Sequence, residues 1–194
     1  MSIVRSCRGL VFGNARGSAM NRSVGVGVIV VREGRVLLGR RGPACKRGAG
    51  LLAPPCGVLN EGEAFVEAAC RELYEETGLV AVSDGPGVDL PVLAVTDRLR
   101  DRADLWEHLT IWCLVSEAVG KPVRNEPDKC LGWDWYDDAA VRAIPGVGDP
   151  DHPQSYWITP AWMDKVKLLR PGEAPVVYEY EDSVDLRVRC SGDI

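Results

Sequence analysis

A cluster of glutamates in one short segment is the feature of this sequence best suited to perform chemistry. Six glutamates lie between residues 57 and 79, together with a single basic residue, Arg71. A solvated helix tends to place charges of opposite sign four residues apart, so acids this dense repel one another unless a cation binds among them. Hard divalent cations prefer oxygen ligands of this kind. The cluster therefore indicates a metal site, and the alternative is an acidic surface exposed to solvent.

The helix that must position these acids is predicted from local pattern. Residues 64–77 contain neither glycine nor proline, and Gly78 follows as a stop signal. Glu72 and Glu76 are four residues apart and stack on one face, while Glu75 lies about 100° from Glu76. We expect these three carboxylates to converge on one or two metal ions. Apolar residues at spacings of three and four predict a buried face made of Phe65, Val66, Ala69, Cys70 and Leu73.

The order of residues in this segment forms a motif with nine defined positions. It reads Gly, five residues, Glu, seven residues, then Arg-Glu-apolar-x-Glu-Glu-x-Gly-apolar, from Gly57 to Leu79. This motif resembles the signature of the Nudix hydrolases at every defining position. The resemblance implies an α/β fold, an α/β/α sandwich around a mixed sheet in which the signature forms a loop-helix-loop. It also implies Mg²⁺- or Mn²⁺-dependent hydrolysis of a nucleoside diphosphate linked to another group.

The resemblance also suggests roles for individual acids. Glu72 and Glu76 are expected to be the principal metal ligands, with Glu75 beside them. The backbone carbonyl of Cys56 and the carboxylate of Glu126 are the further ligands that it implies, although Glu126 can also be an exposed loop acid. The catalytic candidates are Glu72, which is the first choice for the general base, and Glu75.

The other motif residues are predicted to be structural. Arg71 is expected to bond Glu75 or Glu63 rather than the substrate. Gly57 and Gly78 are expected to serve backbone turns, because glycine adopts conformations that other residues avoid.

Candidate substrate-binding residues lie outside the motif. Arg40 and Arg41 end a predicted strand and could bind phosphates bidentately, and Lys129 could also bind phosphate. A solvated position is an equal alternative for these basic residues. An acid ahead of the 155–157 segment, Asp149 or Asp151, resembles the purine-binding acids of 8-oxo-dGTP enzymes and is the candidate for base recognition, and an ordinary loop acid is the favoured alternative.

Strands are predicted on both sides of the motif. Residues 24–31 and 35–41 form a predicted hairpin with a turn at Glu33-Gly34, similar to the hairpin that precedes the family motif. Residues 107–115 are rich in β-forming side chains. Residues 125–136 resemble a segment of the nucleoside triphosphate diphosphatase branch, which includes 8-oxo-dGTP and CTP pyrophosphohydrolases. Within that segment Trp133 and Trp135 alternate with polar residues and are expected in the core.

The likeness predicts a domain over residues 23–169. Residues 1–22 are expected to be a flexible tail, with an organelle transit peptide as the alternative because arginines occur there without acids. Residues 170–194 form a C-terminal extension in which two alternating segments predict a β-hairpin. Exposed edge strands invite pairing, so this hairpin is a candidate for homodimer formation.

Composition limits the classes of partner. A net charge of -5 without a basic tract argues against binding of duplex nucleic acid. No apolar run reaches the roughly 18 residues that a membrane span needs. Seven cysteines without a C-x-x-C pair favour reduced thiols in the cytoplasm. We therefore expect a small-molecule nucleotide or diphosphate substrate, no nucleic acid and no membrane.

The function expected from these features is metal-dependent hydrolysis of a nucleoside triphosphate, or a modified dNTP, to the monophosphate and pyrophosphate. One alternative is hydrolysis of another diphosphate, such as a nucleotide sugar, ADP-ribose or an isoprenoid diphosphate. Another is a Nudix nucleotide-binding module without turnover, which an intact set of motif glutamates disfavours. Cys56 and Asn60 stand where relatives commonly have glycine and glutamate, and these departures leave the substrate open.

Overall fold

The computed structural model describes residues 21–82, 90–98, 106–149, 151–163 and 166, and it begins with a long hairpin. Strand β1 (Asn21–Arg32) pairs antiparallel with β2 (Arg35–Arg41). Glu33 and Gly34 join them with φ angles of 51° and 72°. Two successive left-handed residues are what a two-residue type I′ turn requires, so the predicted hairpin is confirmed.

The remaining elements follow in chain order. The other strands are β3 (Leu52–Ala53), β4 (Cys56–Val58), β5 (Val80–Ala81), β6 (Val92–Arg98), β7 (Trp106–Val115), β8 (Ala118–Val119) and β9 (Cys130–Tyr136). The helices are α1 (Phe65–Thr77), α2 (Asp138–Arg142), a 3₁₀ helix (Pro153–Tyr156) and α3 (Pro160–Met163). The predicted strands around residues 107–115 and 133–136 are thus confirmed as β7 and β9.

A mixed sheet organises the described part of the chain. Its strands follow the order β3-β2-β1-β7-β6, with β4 also paired to β1 and β9 to β2. The pairing of β1 with β7 is parallel, and the other pairs in this sheet are antiparallel. Strands β5 and β8 form a separate antiparallel pair. Strand β1 lies at the centre, and both of its faces are covered, because successive residues Val28, Ile29 and Val30 are all buried.

Alternation along β1 divides the core into two layers. Val28 and Val30 face α1 and pack with Ala69 and Leu73. Ile29 faces the opposite side, in the cluster that contains residues of α2 and α3. Helices therefore cover both faces of the mixed sheet, which confirms the predicted α/β/α arrangement.

Helix α1 has the ends that the sequence predicts. The backbone N–H of Ala64 donates to Glu67 Oε2 at 2.9 Å just before the first turn. Gly78 ends the helix with φ 70°, and its N–H donates to the Tyr74 carbonyl at 2.8 Å. The predicted apolar face packs against the sheet, where Trp133 and Trp135 of β9 join the same cluster.

Several sequence-based predictions concern the chain termini. Residues 1–20 and the extension from 170 onward, with its predicted hairpin and dimer contact, lie outside the described residues. Asn21 and Arg22 already pair with Trp106 and Glu107 in the parallel ladder, so β1 begins two residues before residue 23, where the domain is predicted to start. In the described ranges, no helix is long and apolar enough to cross a membrane.

Candidate active site

The acidic face of α1 borders a cleft of about 370 Å³, a size typical of small-ligand sites. Two motif glutamates, Glu72 and Glu76, line it. Basic side chains share the cleft: Arg41, Lys46, Arg47 and Lys129. The floor and one wall are largely aromatic, with His108, Trp112, Tyr156 and Trp157. Carboxylates and cations therefore face the same space.

Glu76 is held at the inner end of this acidic face. The backbone N–H of Cys56 donates to its Oε2 atom at 3.2 Å, which connects α1 to β4. Burial raises the pKa of Glu76 to about 8, and the negative charges of Glu72 and Glu126 also raise it, against the lowering effects of the Cys56 hydrogen bond and of Arg41. A cation at this point would relieve that repulsion and favour the ionised carboxylate.

Glu72 reaches the cleft through a gap left by a glycine. A Cβ atom added at Gly57 would overlap the Glu72 carboxylate. Gly57 lies within β4, opposite Val26, rather than in a turn with a positive φ. The prediction that Gly57 serves a turn is therefore wrong, since this glycine instead permits close approach of a side chain. Gly78 does adopt the left-handed conformation expected of a glycine that ends a helix.

Arg71 connects three glutamates, one ahead of α1 and two within it. Its Nε and Nη2 atoms donate to the two carboxylate oxygens of Glu63 at 2.7 and 2.8 Å. Its Nη1 atom donates to Glu72 at 2.6 Å and to Glu75 at 3.2 Å. This guanidinium holds the pKa of Glu63 down to about 2. Arg71 thus contacts both partners expected from the sequence and in addition orients Glu72, whose pKa burial raises.

Glu75 does not join Glu72 and Glu76 in the cleft. Its side chain is 55% exposed and contacts Arg71. The described residues contain no set of three or more histidine, cysteine, aspartate or glutamate side chains close enough to hold a metal ion. The expected convergence of three motif carboxylates is therefore wrong, because one step of about 100° turns Glu75 away from Glu76 and towards Arg71.

Glu126 lies close to the two cleft carboxylates although it is distant in sequence. Its charge raises the pKa of both Glu72 and Glu76. Its Oε1 atom accepts from Lys129 Nζ at 2.6 Å. Glu72, Glu76 and the adjacent backbone of Cys56 supply oxygen donors of the type that Mg²⁺ and Mn²⁺ prefer, and the chemistry of these donors fits a hard divalent cation. The Glu126 side chain is paired with Lys129, and among the described residues it does not form one cluster with the other two carboxylates.

The two neighbouring arginines of β2 have different surroundings because successive strand residues point to opposite faces. Arg41 enters the cleft, where its Nε atom donates to the Arg47 carbonyl at 3.0 Å and its guanidinium lies 3.9 Å from the Trp157 ring centroid. Arg40 is exposed, donates to the Gly50 carbonyl at 2.7 Å and borders a different cavity. Of this pair, only Arg41 is placed to meet a ligand at the acidic face.

The acids proposed for base recognition lie outside the cleft. Asp151 is exposed, and its backbone N–H donates to Asp149 Oδ1 at 3.0 Å. This hydrogen bond lies within the loop that contains both residues, and neither residue lines the cleft. The prediction for Asp151 is therefore not supported by its position, whereas Lys129 does line the cleft as expected.

Several cleft residues were not identified from the sequence. His108, Thr110 and Trp112 are alternate residues of β7 and share the face that forms the floor. His108 Nδ1 lies 2.7 Å from Ser23 Oγ, and burial together with the charge of Arg47 lowers its pKa. Alternation along the 107–115 segment would have grouped these three residues, but no local signal indicates which face borders the motif.

Comparison with known proteins establishes the family. The model of the NUDIX domain matches residues 21–177, which is most of the chain. The chain belongs to the NUDIX family. This Nudix protein is 34% identical to an RNA pyrophosphohydrolase of Rhizobium meliloti, over 68% of this chain and 86% of the relative. It is 30% identical to an RNA pyrophosphohydrolase of Bartonella quintana, over 69% of this chain and 84% of the relative.

A solved structure agrees with this assignment. The crystal structure of a MutT NUDIX hydrolase from Burkholderia pseudomallei is 28% identical and superposes with a TM-score of 0.54, covering 64% of this chain and 88% of that chain. The predicted Nudix fold and the predicted enzyme class are confirmed: this protein is a Nudix hydrolase that acts on phosphoric anhydrides. Its substrate contains a diphosphate linkage, as Nudix substrates do.

Proposed function

We propose that this Nudix hydrolase is a divalent-metal-dependent pyrophosphohydrolase that cleaves the 5′-triphosphate group of a nucleotide and leaves a 5′-monophosphate. The observation that carries this proposal is the cleft in which Glu72 and Glu76 face the same space as Arg41 and Lys129. A triphosphate chain is long enough to contact a metal on the carboxylates and the cations at once. Neutralisation of phosphate charge by metals and cations is the main source of catalysis in such reactions.

Glu72, Glu76 and Glu126, with the backbone carbonyl of Cys56, are the groups that would hold Mg²⁺ or Mn²⁺. Such an ion lowers the pKa of a bound water and neutralises phosphate charge. We assign Glu72 as the general base, since it faces the cleft and Arg71 orients its carboxylate at 2.6 Å. Glu75 is the acid that would fix the Arg71 guanidinium beside Glu72, through its contact with Arg71 Nη1 at 3.2 Å.

Lys129 has two roles in this proposal, as the partner of Glu126 and as a phosphate-binding cation. Without a metal, its ammonium group neutralises Glu126 at 2.6 Å. If these carboxylates held a divalent cation, Glu126 would no longer need Lys129 as its counter-charge, and Lys129 would be available to a phosphate oxygen. Arg41 already points into the cleft beside Cys56, with Nη1 3.7 Å from the sulfur. The two cations would then bind the phosphates that leave as pyrophosphate.

The 5′-triphosphate end of RNA is the second candidate substrate. The names of the two curated relatives favour it, and it presents the same triphosphate group to the cleft as a free nucleotide. The net charge of -5 argues against extensive contacts with a nucleic-acid backbone, but it does not bear on the binding of a single terminal nucleotide. Exposed Lys46 at the cleft is the type of residue that would contact the next phosphate.

Product analysis with the full chain tests this proposal. Free nucleoside triphosphates, a 5′-triphosphorylated oligonucleotide, ADP-ribose and a nucleotide sugar are each incubated with Mg²⁺, and pyrophosphate, phosphate and monophosphate are measured. We expect pyrophosphate and a 5′-monophosphate from a triphosphate substrate, and kcat/KM decides between the free nucleotide and RNA. Glu76→Gln should lower the rate at least ~10²-fold. Hydrolysis of ADP-ribose or the sugar with intact triphosphates would contradict the proposal.

A further inference from the structure

The stacked pair of Arg41 and Trp157 in the cleft carries an inference that rests on the proposed function. We propose that Trp157 is a positioning residue, which holds the guanidinium of Arg41 in the orientation that binds a substrate phosphate. Trp157 lies outside the Nudix motif and is contributed by the end of the 3₁₀ helix, 116 residues after Arg41 in the chain.

Three contacts define the position of the Arg41 guanidinium. The centroid of the Trp157 ring lies 3.9 Å from Arg41 Cζ. The carbonyl of Arg47 accepts from Arg41 Nε at 3.0 Å, and Cys56 Sγ lies 3.7 Å from Arg41 Nη1. A guanidinium is planar and rigid, so a stacking surface and two in-plane contacts fix its plane and its direction. One edge of that plane then lies beside Cys56, next to the acidic face.

Trp157 is itself held by groups that take no part in the chemistry. Buried Gln154 binds β3 through both ends of its amide, accepting from Leu52 N–H at 3.0 Å and donating to the Leu52 carbonyl at 2.6 Å. The backbone N–H of Trp157 donates to the Gln154 carbonyl at 3.1 Å. The indole packs against Gly48, where an added Cβ would come within 2.6 Å of Nε1. The indole therefore offers Arg41 a rigid surface.

Contact with Trp157 lowers the entropy cost that Arg41 pays when it binds a phosphate, because an arginine side chain has many rotamers. An unsupported arginine loses several rotamers when it binds a phosphate, and a preorganised arginine has already lost them. The attraction between a guanidinium and an indole face adds to this and is worth about 2- to 30-fold in affinity. Phenylalanine retains an aromatic face at this position, whereas leucine does not.

Inorganic tripolyphosphate is the probe that isolates this role, because it has no base or ribose that could stack on Trp157. Its dissociation constant is measured by calorimetry with Mg²⁺, and KM and kcat are measured with the preferred triphosphate substrate. Trp157→Leu should weaken tripolyphosphate binding and raise KM by about 5- to 30-fold, with kcat changed less than about twofold. Trp157→Phe should restore most of the binding.

A double-mutant cycle tests whether the effect acts through Arg41. In an Arg41→Gln background, Trp157→Leu should cause no further loss. Arg41→Lys retains the charge but not the flat face, and should lose as much affinity as Trp157→Leu, which gives a result even if Trp157→Leu does not fold. Arg32→Gln, which removes a guanidinium stacked on Trp135 away from the cleft, is the matched control and should leave both affinities unchanged.

Two results would overturn the inference. Loss of nucleotide affinity with unchanged tripolyphosphate affinity would mean that Trp157 contacts the base directly. A full effect of Trp157→Leu in the Arg41→Gln background would mean that Trp157 only packs the cleft wall. Tripolyphosphate binding does not require turnover, so this outcome stays separate from failure of the proposed function, which would appear as wild-type enzyme that releases no pyrophosphate.

Discussion

Replacing Glu76 with glutamine should stabilise the metal-free protein and at the same time remove most of its activity. Burial raises the pKa of Glu76 to about 8, whereas an exposed glutamate has a pKa of 4.5. Between these values the native state holds a proton that the unfolded state has lost. The contribution of Glu76 to the free energy of unfolding is therefore fully present below about pH 4.5 and is lost as the pH rises towards 8. Glutamine resembles the protonated acid and still accepts from the Cys56 N–H.

The size of this effect follows from the shift. One pKa unit corresponds to about 1.4 kcal/mol. A shift from 4.5 to about 8 therefore lowers the free energy of unfolding of the wild-type protein by a few kcal/mol by pH 9. The Glu76→Gln variant avoids this loss. Urea unfolding in EDTA, followed by tryptophan fluorescence at pH 5, 7 and 9, measures the free energy of unfolding for both proteins. The two should agree most closely at pH 5 and diverge as the pH rises.

Glu61→Gln is the matched control, since Glu61 is an exposed glutamate of the same motif. It should follow the wild-type dependence on pH. Addition of Mn²⁺ at pH 8 should raise the melting temperature of wild-type protein and of the control, but should have much less effect on Glu76→Gln. Parallel stability curves for wild type and Glu76→Gln would refute the view that Glu76 is a strained, buried acid that a metal relieves.

Three further changes test other parts of the structure. Gly57→Ala places a methyl group on the Glu72 carboxylate, so kcat should fall at least ~10-fold with an unchanged circular dichroism spectrum, and normal turnover would contradict the close approach. Gln154→Leu leaves the backbone N–H and carbonyl of buried Leu52 without these partners, and urea unfolding should show a loss of about 2–4 kcal/mol rather than a neutral change. Removal of divalent ions with EDTA should abolish hydrolysis, and Mg²⁺ or Mn²⁺ but not K⁺ should restore it; activity that survives EDTA would exclude the metal mechanism.

Local sequence determined the two elements that organise the site, helix α1 and the β1–β2 hairpin. Helix α1 follows from apolar spacing and a terminal glycine, and the β1–β2 hairpin follows from two β-rich segments joined at Gly34, which accepts a left-handed conformation. Both signals act within a few residues, so neither depends on the remainder of the chain. The same periodicity placed Glu72 and Glu76 on one face, and the nine positions of the motif were sufficient to indicate the family.

Tertiary structure decided which residues share the site. Pairing of β2 within the sheet turned Arg41 rather than Arg40 into the cleft, and Arg71 drew Glu75 away from it. Trp157 lies against Arg41 because the Gln154 side chain bonds the 3₁₀ helix to Leu52 of β3, and Leu52 lies 102 residues earlier in the chain than Gln154. A spacing pattern records neighbours along one element. It contains no information about which faces of separate elements meet, because that depends on packing over the whole core.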